Sequence, residues 1–139
     1  MTNTLNKMIY LKASKADVWA YLTDPDKLAI WFHKPTETLS EGEDYAMHGV
    51  ESGDKLMWGK VMRAQPHDLL EYTFTIGPMG DAVSTVLWTL DDVEGGTRLS
   101  LTHSGLPQGA EAFGLTLALD KGWDDHLARL RNDVHEVEC

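Results

Sequence analysis

Residues 110–137 read AEAFGLTLALDKGWDDHLARLRNDVHEV, and their spacing decides the fold. Ala112, Thr116, Leu119, Trp123, Leu127, Leu130, Val134 and Val137 recur every three or four positions. At about 3.6 residues per turn they form one stripe of an α-helix running from about Ala110 to Val137. Lys121, Asp124, Asp125, Arg129, Arg131, Asp133 and Glu136 fall on the other side and predict a solvated face. Lys121 with Asp125, and Asp125 with Arg129, have the spacing of i,i+4 ion pairs. Such a helix is about 40 Å long. Its apolar stripe needs a broad partner, and the upstream chain offers a sheet.

Met8 to Ala13 reads as a first strand, with Ile9 and Leu11 facing one way and Tyr10 and Lys12 the other. Ser14 is placed to cap a helix whose inner side is Val18, Trp19 and Leu22. Asp24-Pro25 opens a second short helix through Leu28 to Trp31. Trp19 and Trp31 read as anchors of these two helices. From Thr36 onward, turn sequences such as Glu41-Gly42-Glu43, Ser52-Gly53-Asp54, Pro78-Met79-Gly80-Asp81 and Glu94-Gly95-Gly96 separate five strand-like segments. These are Tyr45 to Gly49, Lys55 to Ala64, Leu69 to Ile76, Ser84 to Leu90 and Thr97 to His103. Alternation puts Leu70, Tyr72, Phe74 and Ile76 on one face, as it does Val86, Trp88 and Leu90, and Leu99, Leu101 and His103. In the Lys55 segment Met57, Gly59 and Val61 are taken as inward, because the opposite face carries Lys60. Segregated strands followed by a helix predict an α+β fold with a curved antiparallel sheet around the long helix.

Composition narrows the function. A chain of 139 residues, 42% hydrophobic and 24% charged, fits one globular domain over residues 1–139. No apolar run reaches the length of a membrane span, and Met1 to Lys15 lacks a signal-like core, so a cytoplasmic location is expected. The one cysteine, Cys139, offers no internal disulfide. A net charge of −10 without a basic cluster argues against nucleic acid and anionic membranes, whose affinity depends on Lys and Arg.

Local sequences in this order resemble the helix-grip superfamily of START-like or polyketide-cyclase-like (SRPBCC) proteins. Within it they resemble single-domain relatives of the heat-shock protein 90 ATPase activator. The matching pieces are Ala13 to Trp31 (ASKADVWAYLTDPDKLAIW), Gly59-Lys60-Val61 with Pro66 and Leu70 beyond, Gly96-Thr97-Arg98-Leu99-Ser100-Leu101-Thr102-His103, and Gly122-Trp123 with Leu127 and Leu130. The resemblance implies a helix-grip domain with a cavity between sheet and C-terminal helix. It does not imply chaperone activation, since the eukaryotic co-chaperones carry a further N-terminal domain. Branch-specific catalytic residues find no match here.

No phosphate-binding loop, dinucleotide fingerprint, nucleophile elbow or zinc-protease motif is present, and the six histidines lack metal-ligand spacing, so no cofactor or metal is expected. The informative residues are polar groups on faces that should be buried. Tyr45, Tyr72 and Trp88 join Phe74 and His103 on the inner sheet face; Thr116, Asp120 and His126 lie on or beside the stripe that holds Trp123. A buried polar group without a partner costs about 1–3 kcal/mol, so these groups must pair or meet a ligand. Gly122, costly in mid-helix by about 1 kcal/mol relative to alanine, is expected where neighbours approach closely around Trp123. The favoured reading is a binding domain for a hydrophobic small molecule lined by these nine residues. An alternative is a cyclase- or hydrolase-like enzyme using His103, His126 or Asp120 as general acid–base, with Tyr45 or Tyr72 orienting substrate. A third is an interaction module, simplest as a homodimer, working through an outer apolar patch of Leu56, Trp58, Met62 and Leu87.

Overall fold

The computed structural model describes residues 3–49, 53–76, 83–106 and 113–136. Along the chain come β1 (Asn3–Leu11), α1 (Lys15–Thr23), α2 (Pro25–Trp31), β2 (Lys34–Pro35), β3 (Asp44–His48), β4 (Lys55–Gln65), β5 (Leu69–Ile76), β6 (Ser84–Val93), β7 (Gly96–Leu106) and α3 (Phe113–Glu136). Capping sets the two short helices. Ser14 Oγ accepts from the Asp17 N–H at 3.1 Å, and the Asp24 carboxylate accepts from the Lys27 N–H at 3.2 Å. Asp24 also donates its own N–H to the Ala20 carbonyl, so one residue ends α1 and starts α2. The chain thereby turns without an intervening loop.

The seven strands form one curved antiparallel sheet in the order β1-β7-β6-β5-β4-β3-β2. The predicted parities hold: Met57, Val61, Leu70, Tyr72, Phe74, Val86, Trp88, Leu90, Leu99, Leu101 and His103 are buried. From α3 the stripe supplies Trp123, Leu127, Leu130 and Val134 to the same core. Ala112 and Val137, and the expected Ser52 and Pro78-Met79-Gly80-Asp81 turns, lie outside the described residues. The architecture is the expected helix grip. Sequence reading missed the two-residue β2 and began β1 at Met8 when it starts at Asn3, because neither stretch carries an alternation of apolar side chains.

The polar side of α3 is solvated as expected, with Lys121, Asp124, Asp125, Arg129 and Arg131 exposed and Asp133 half-buried. A helix lying within a curved sheet also meets neighbours along its flanks. Lys7 of β1 reaches Asp120 at 2.6 Å and Asp124 at 2.9 Å, and the Tyr21 hydroxyl donates to Asp133 at 2.6 Å. Lys121 pairs with Asp125 at 2.7 Å as expected. The other expected pair is not made: Arg129 turns instead to His126, its Nη1 lying 3.1 Å from Nδ1.

The outer sheet face is apolar only in patches. Leu56 and Met62 are exposed, but the Lys55 ammonium sits 4.9 Å over the Trp58 ring. Leu87 stands opposite Glu71, which is ion-paired to Arg63 at 3.0 Å. No described helix is long and apolar enough to cross a membrane.

Gly59 marks a tight place in the sheet, as does Gly96 against the Leu11 carbonyl. A Cβ at Gly59 would stand 2.2 Å from the Thr73 carbonyl oxygen, which also accepts from the Tyr45 hydroxyl at 2.6 Å. Neither backbone can yield without losing that bond. Gly59→Ala is expected to lower the free energy of urea unfolding by about 1–3 kcal/mol, the range for overpacking. An unchanged denaturation midpoint would contradict this account.

Candidate functional site

Trp123 is the centre of the interior. Its ring stacks on Phe32 with centroids 5.4 Å apart and meets Trp88 edge-on at 5.5 Å. An indole N–H buried this deeply must find an acceptor, and His103 Nδ1 accepts it at 3.0 Å. That contact fixes the tautomer: with Nδ1 accepting, the neutral ring carries its proton on Nε2. Nε2 then donates to Ser84 Oγ at 2.7 Å, and the Ser84 hydroxyl donates to the Phe74 carbonyl at 2.9 Å. One relay therefore ties α3 to β7, β6 and β5. Burial pushes the His103 imidazole down to about 4, so it is neutral near pH 7.

The other predicted polar groups divide. The Tyr45 hydroxyl is spent on the Thr73 carbonyl, and the Tyr72 oxygen accepts from the Trp88 indole at 3.0 Å. Burial drives the ionisation of both tyrosines well above the ordinary range. Tyr45, Tyr72, Trp88 and His103 are thus interlocked core residues. Thr116 is half-buried on α3. Asp120 faces β1, in its ion pair with Lys7, and does not line a cavity with His126.

A cavity of about 130 Å³ opens where α3 crosses the ends of β4 and β5. Phe32, Met57, Phe74 and Trp123 form its buried floor, and His33, Ile76, Leu119, Gly122 and His126 form its rim. Of the nine predicted site residues, the structure brings Phe74, Trp123 and His126 to this cavity. Phe32 and His33 were missed because they lie past the end of α2, where no periodicity marks a face; the run Trp31-Phe32-His33 was the one available signal. Gly122 corrects its expectation. A Cβ there would meet nothing within 4 Å, so the missing side chain leaves the rim open and does not serve close packing.

The polar side chains of the lining are the two imidazoles, since the Trp123 N–H is committed to His103. Their rings stand 5.3 Å apart, nearly perpendicular. Desolvation, with the neighbouring His126 and Arg129 charges, lowers His33 to about 4. Desolvation lowers His126 too, opposed by its contact with the Trp31 carbonyl at 3.0 Å. Both rings are neutral near pH 7. Among the described residues no three His, Cys, Asp or Glu side chains converge as a metal site would require. The arrangement suits an apolar guest with a hydrogen-bonding or charged end at the rim.

The chain belongs to the family described as Activator of Hsp90 ATPase homolog 1-like protein, whose model matches residues 12–134. No curated protein matches. Among solved structures, protein MLL2253 from Mesorhizobium loti is 21% identical, with a TM-score of 0.81 over 94% of this chain and 95% of that one. The Aha1 dimer from Colwellia psychrerythraea is 20% identical, with a TM-score of 0.79 over 95% of this chain and 96% of that one. DynU16, of the dynemicin biosynthetic locus, is 25% identical with a TM-score of 0.80; the match covers 95% of this chain but 47% of DynU16. These likenesses agree with the helix-grip architecture.

The relay has a measurable consequence. His103 takes up a proton at about 6.5 in the unfolded chain but only at about 4 in the folded one. Between those values the unfolded state binds more protons, so stability falls as the pH is lowered through the window. The full loss, reached below the folded value, is on the order of 3 kcal/mol. His33 acts in the same direction. Urea unfolding followed between pH 7 and pH 4 should show this decline, and His103→Phe should flatten it while lowering stability at pH 7 by about 1–3 kcal/mol. An equal pH slope in wild type and variant would remove His103 as its source.

Proposed function

We propose that this chain is a cytoplasmic binding domain for a small, largely apolar molecule held between the sheet and α3. The observation that carries the reading is the unfilled cavity of about 130 Å³, floored by Phe32, Met57, Phe74 and Trp123 and edged by two neutral imidazoles. A cavity of about 150 Å³ lined by apolar side chains can hold benzene, whereas drug-sized ligands occupy about 300–1,000 Å³. The guest is therefore one aromatic ring or a short alkyl chain, not a sterol or polyketide of several rings. Family membership supports a ligand in this region, in keeping with the fold's cavity.

The geometry favours binding over acid–base catalysis by the expected trio. His103 has both ring nitrogens committed and is fully buried, and Asp120 is paired away from the cavity. His126 alone of the three reaches it. A second copy of the chain is the protein partner with a parallel, since the Colwellia relative is a dimer. Light scattering at high concentration should then give twice the chain mass; a monomer would remove the homodimer.

Gly122 gives a test that stability cannot confuse. Gly122→Leu replaces a mid-helix glycine by a good helix former, worth about 1 kcal/mol of added stability, while projecting a side chain at the rim. Titrating toluene into the wild-type protein should perturb the amide resonances of Gly122 and Phe74 and the Trp123 indole N–H. Gly122→Leu should abolish those shifts and unfold at a higher urea concentration. Absence of any shift in the wild type would overturn the binding reading.

A further inference from the structure

We propose that the cavity is built for an apolar acid, its hydrocarbon part on the Phe74–Trp123 floor and its carboxylate held at the rim by Arg129 and His126. This rests on the binding reading above and names the ligand's chemistry. The first observation is charge. The chain carries a net −10, yet among the described residues no carboxylate lines this cavity. The titratable groups of its described lining are His33 beyond α2 and His126 on α3, and Arg129, exposed on α3 just outside that lining, reaches His126; β4 and β5 contribute Met57, Phe74 and Ile76, all apolar. Asp125, the nearest acid on α3, is held by Lys121 at 2.7 Å. Among the described residues no carboxylate lies within ion-pair distance of Arg129, whose hydrogen bond goes to an imidazole.

The second observation is that this imidazole cannot satisfy its neighbours. His126 Nδ1 lies 3.0 Å from the Trp31 carbonyl oxygen and 3.1 Å from Arg129 Nη1. With a proton on Nδ1 the ring donates to Trp31 but sets one N–H against another at Arg129. With a lone pair on Nδ1 it accepts from Arg129 but faces the carbonyl oxygen. Neither neutral form makes both bonds. A carboxylate at the rim removes the conflict. It draws the guanidinium N–H groups to itself in a charge-assisted contact, and its charge stabilises the imidazolium, which donates from Nδ1 to the Trp31 carbonyl. The proton comes from solvent, and the carboxylate stays ionised. Binding is thus coupled to uptake of a proton by His126.

Isothermal titration calorimetry with phenylacetate, its neutral isostere phenylacetamide, and toluene tests this in two buffers of different ionisation enthalpy. The wild-type protein should bind phenylacetate about tenfold or more tightly than phenylacetamide, the scale of one charge-assisted contact. It should take up protons with phenylacetate and none with toluene, and its phenylacetate affinity should rise between pH 7.5 and pH 6. Arg129→Gln should bring the phenylacetate-to-phenylacetamide ratio to about one, and His126→Gln should remove the proton uptake. If toluene binds but phenylacetate is no tighter than phenylacetamide, the acid handle is overturned and the apolar cavity stands. If none of the three binds, both readings fall.

Discussion

A tryptophan N–H buried in the core must be accepted by something, and much of this structure follows from how Trp123 meets that requirement. The acceptor is His103, on the inner sheet face, and accepting there fixes the tautomer of the ring. The other nitrogen then needs an acceptor of its own, which Ser84 supplies while its hydroxyl donates to the Phe74 carbonyl. The relay fixes the rotation of α3 about its axis. An apolar stripe alone would tolerate small rotations and slides, because hydrophobic contact is not directional. A chain of directed hydrogen bonds in a site without water does not.

Fixing α3 in this rotation also decides where space is left. Phe32 stacks on one side of Trp123, and Trp88 meets it edge-on, so the indole is held by rings as well as by its hydrogen bond. One residue earlier on the helix, Gly122 has no side chain to cover the gap between α3 and the ends of β4 and β5. The cavity is thus a direct product of the sequence Gly122-Trp123: the tryptophan builds the floor and the glycine leaves the rim open. His126, one turn further along the same helix, brings a polar group to that opening. The same stripe supplies the core and the lining of the cavity.

The sequence expectation placed the polar residues of the inner face around a ligand because a buried polar group requires a partner. Buried polar groups do require partners, and those of Tyr45, Tyr72, Trp88 and His103 find them within the protein. Parity along a strand says that two residues share a face. It does not say whether their hydrogen-bonding tips meet each other or open space. Asp120 shows the same gap from the helix side, since its position beside the stripe carries no sign that Lys7, 113 residues away in sequence, stands opposite. His33 and Phe32 were hidden for another reason: they follow the last turn of a short helix, where neither helical nor strand period applies.

By itself the sequence determined the long helix, the two short ones and most of the strands, with the inner faces of β4 to β7. The period of α3, the Ser14 and Asp24 caps, and the alternation in the later strands are local properties, written in neighbouring residues and legible there. They suffice to predict a curved antiparallel sheet around a long helix. Only the tertiary structure decided which polar groups are consumed in the core and which are left at an opening. That depends on contacts between residues far apart in the chain, on donor–acceptor distances held to within a few tenths of an ångström, and on the absence of one side chain at Gly122. Pairing across the core spent His103, and its neighbour across Trp123, His126, was left at the rim.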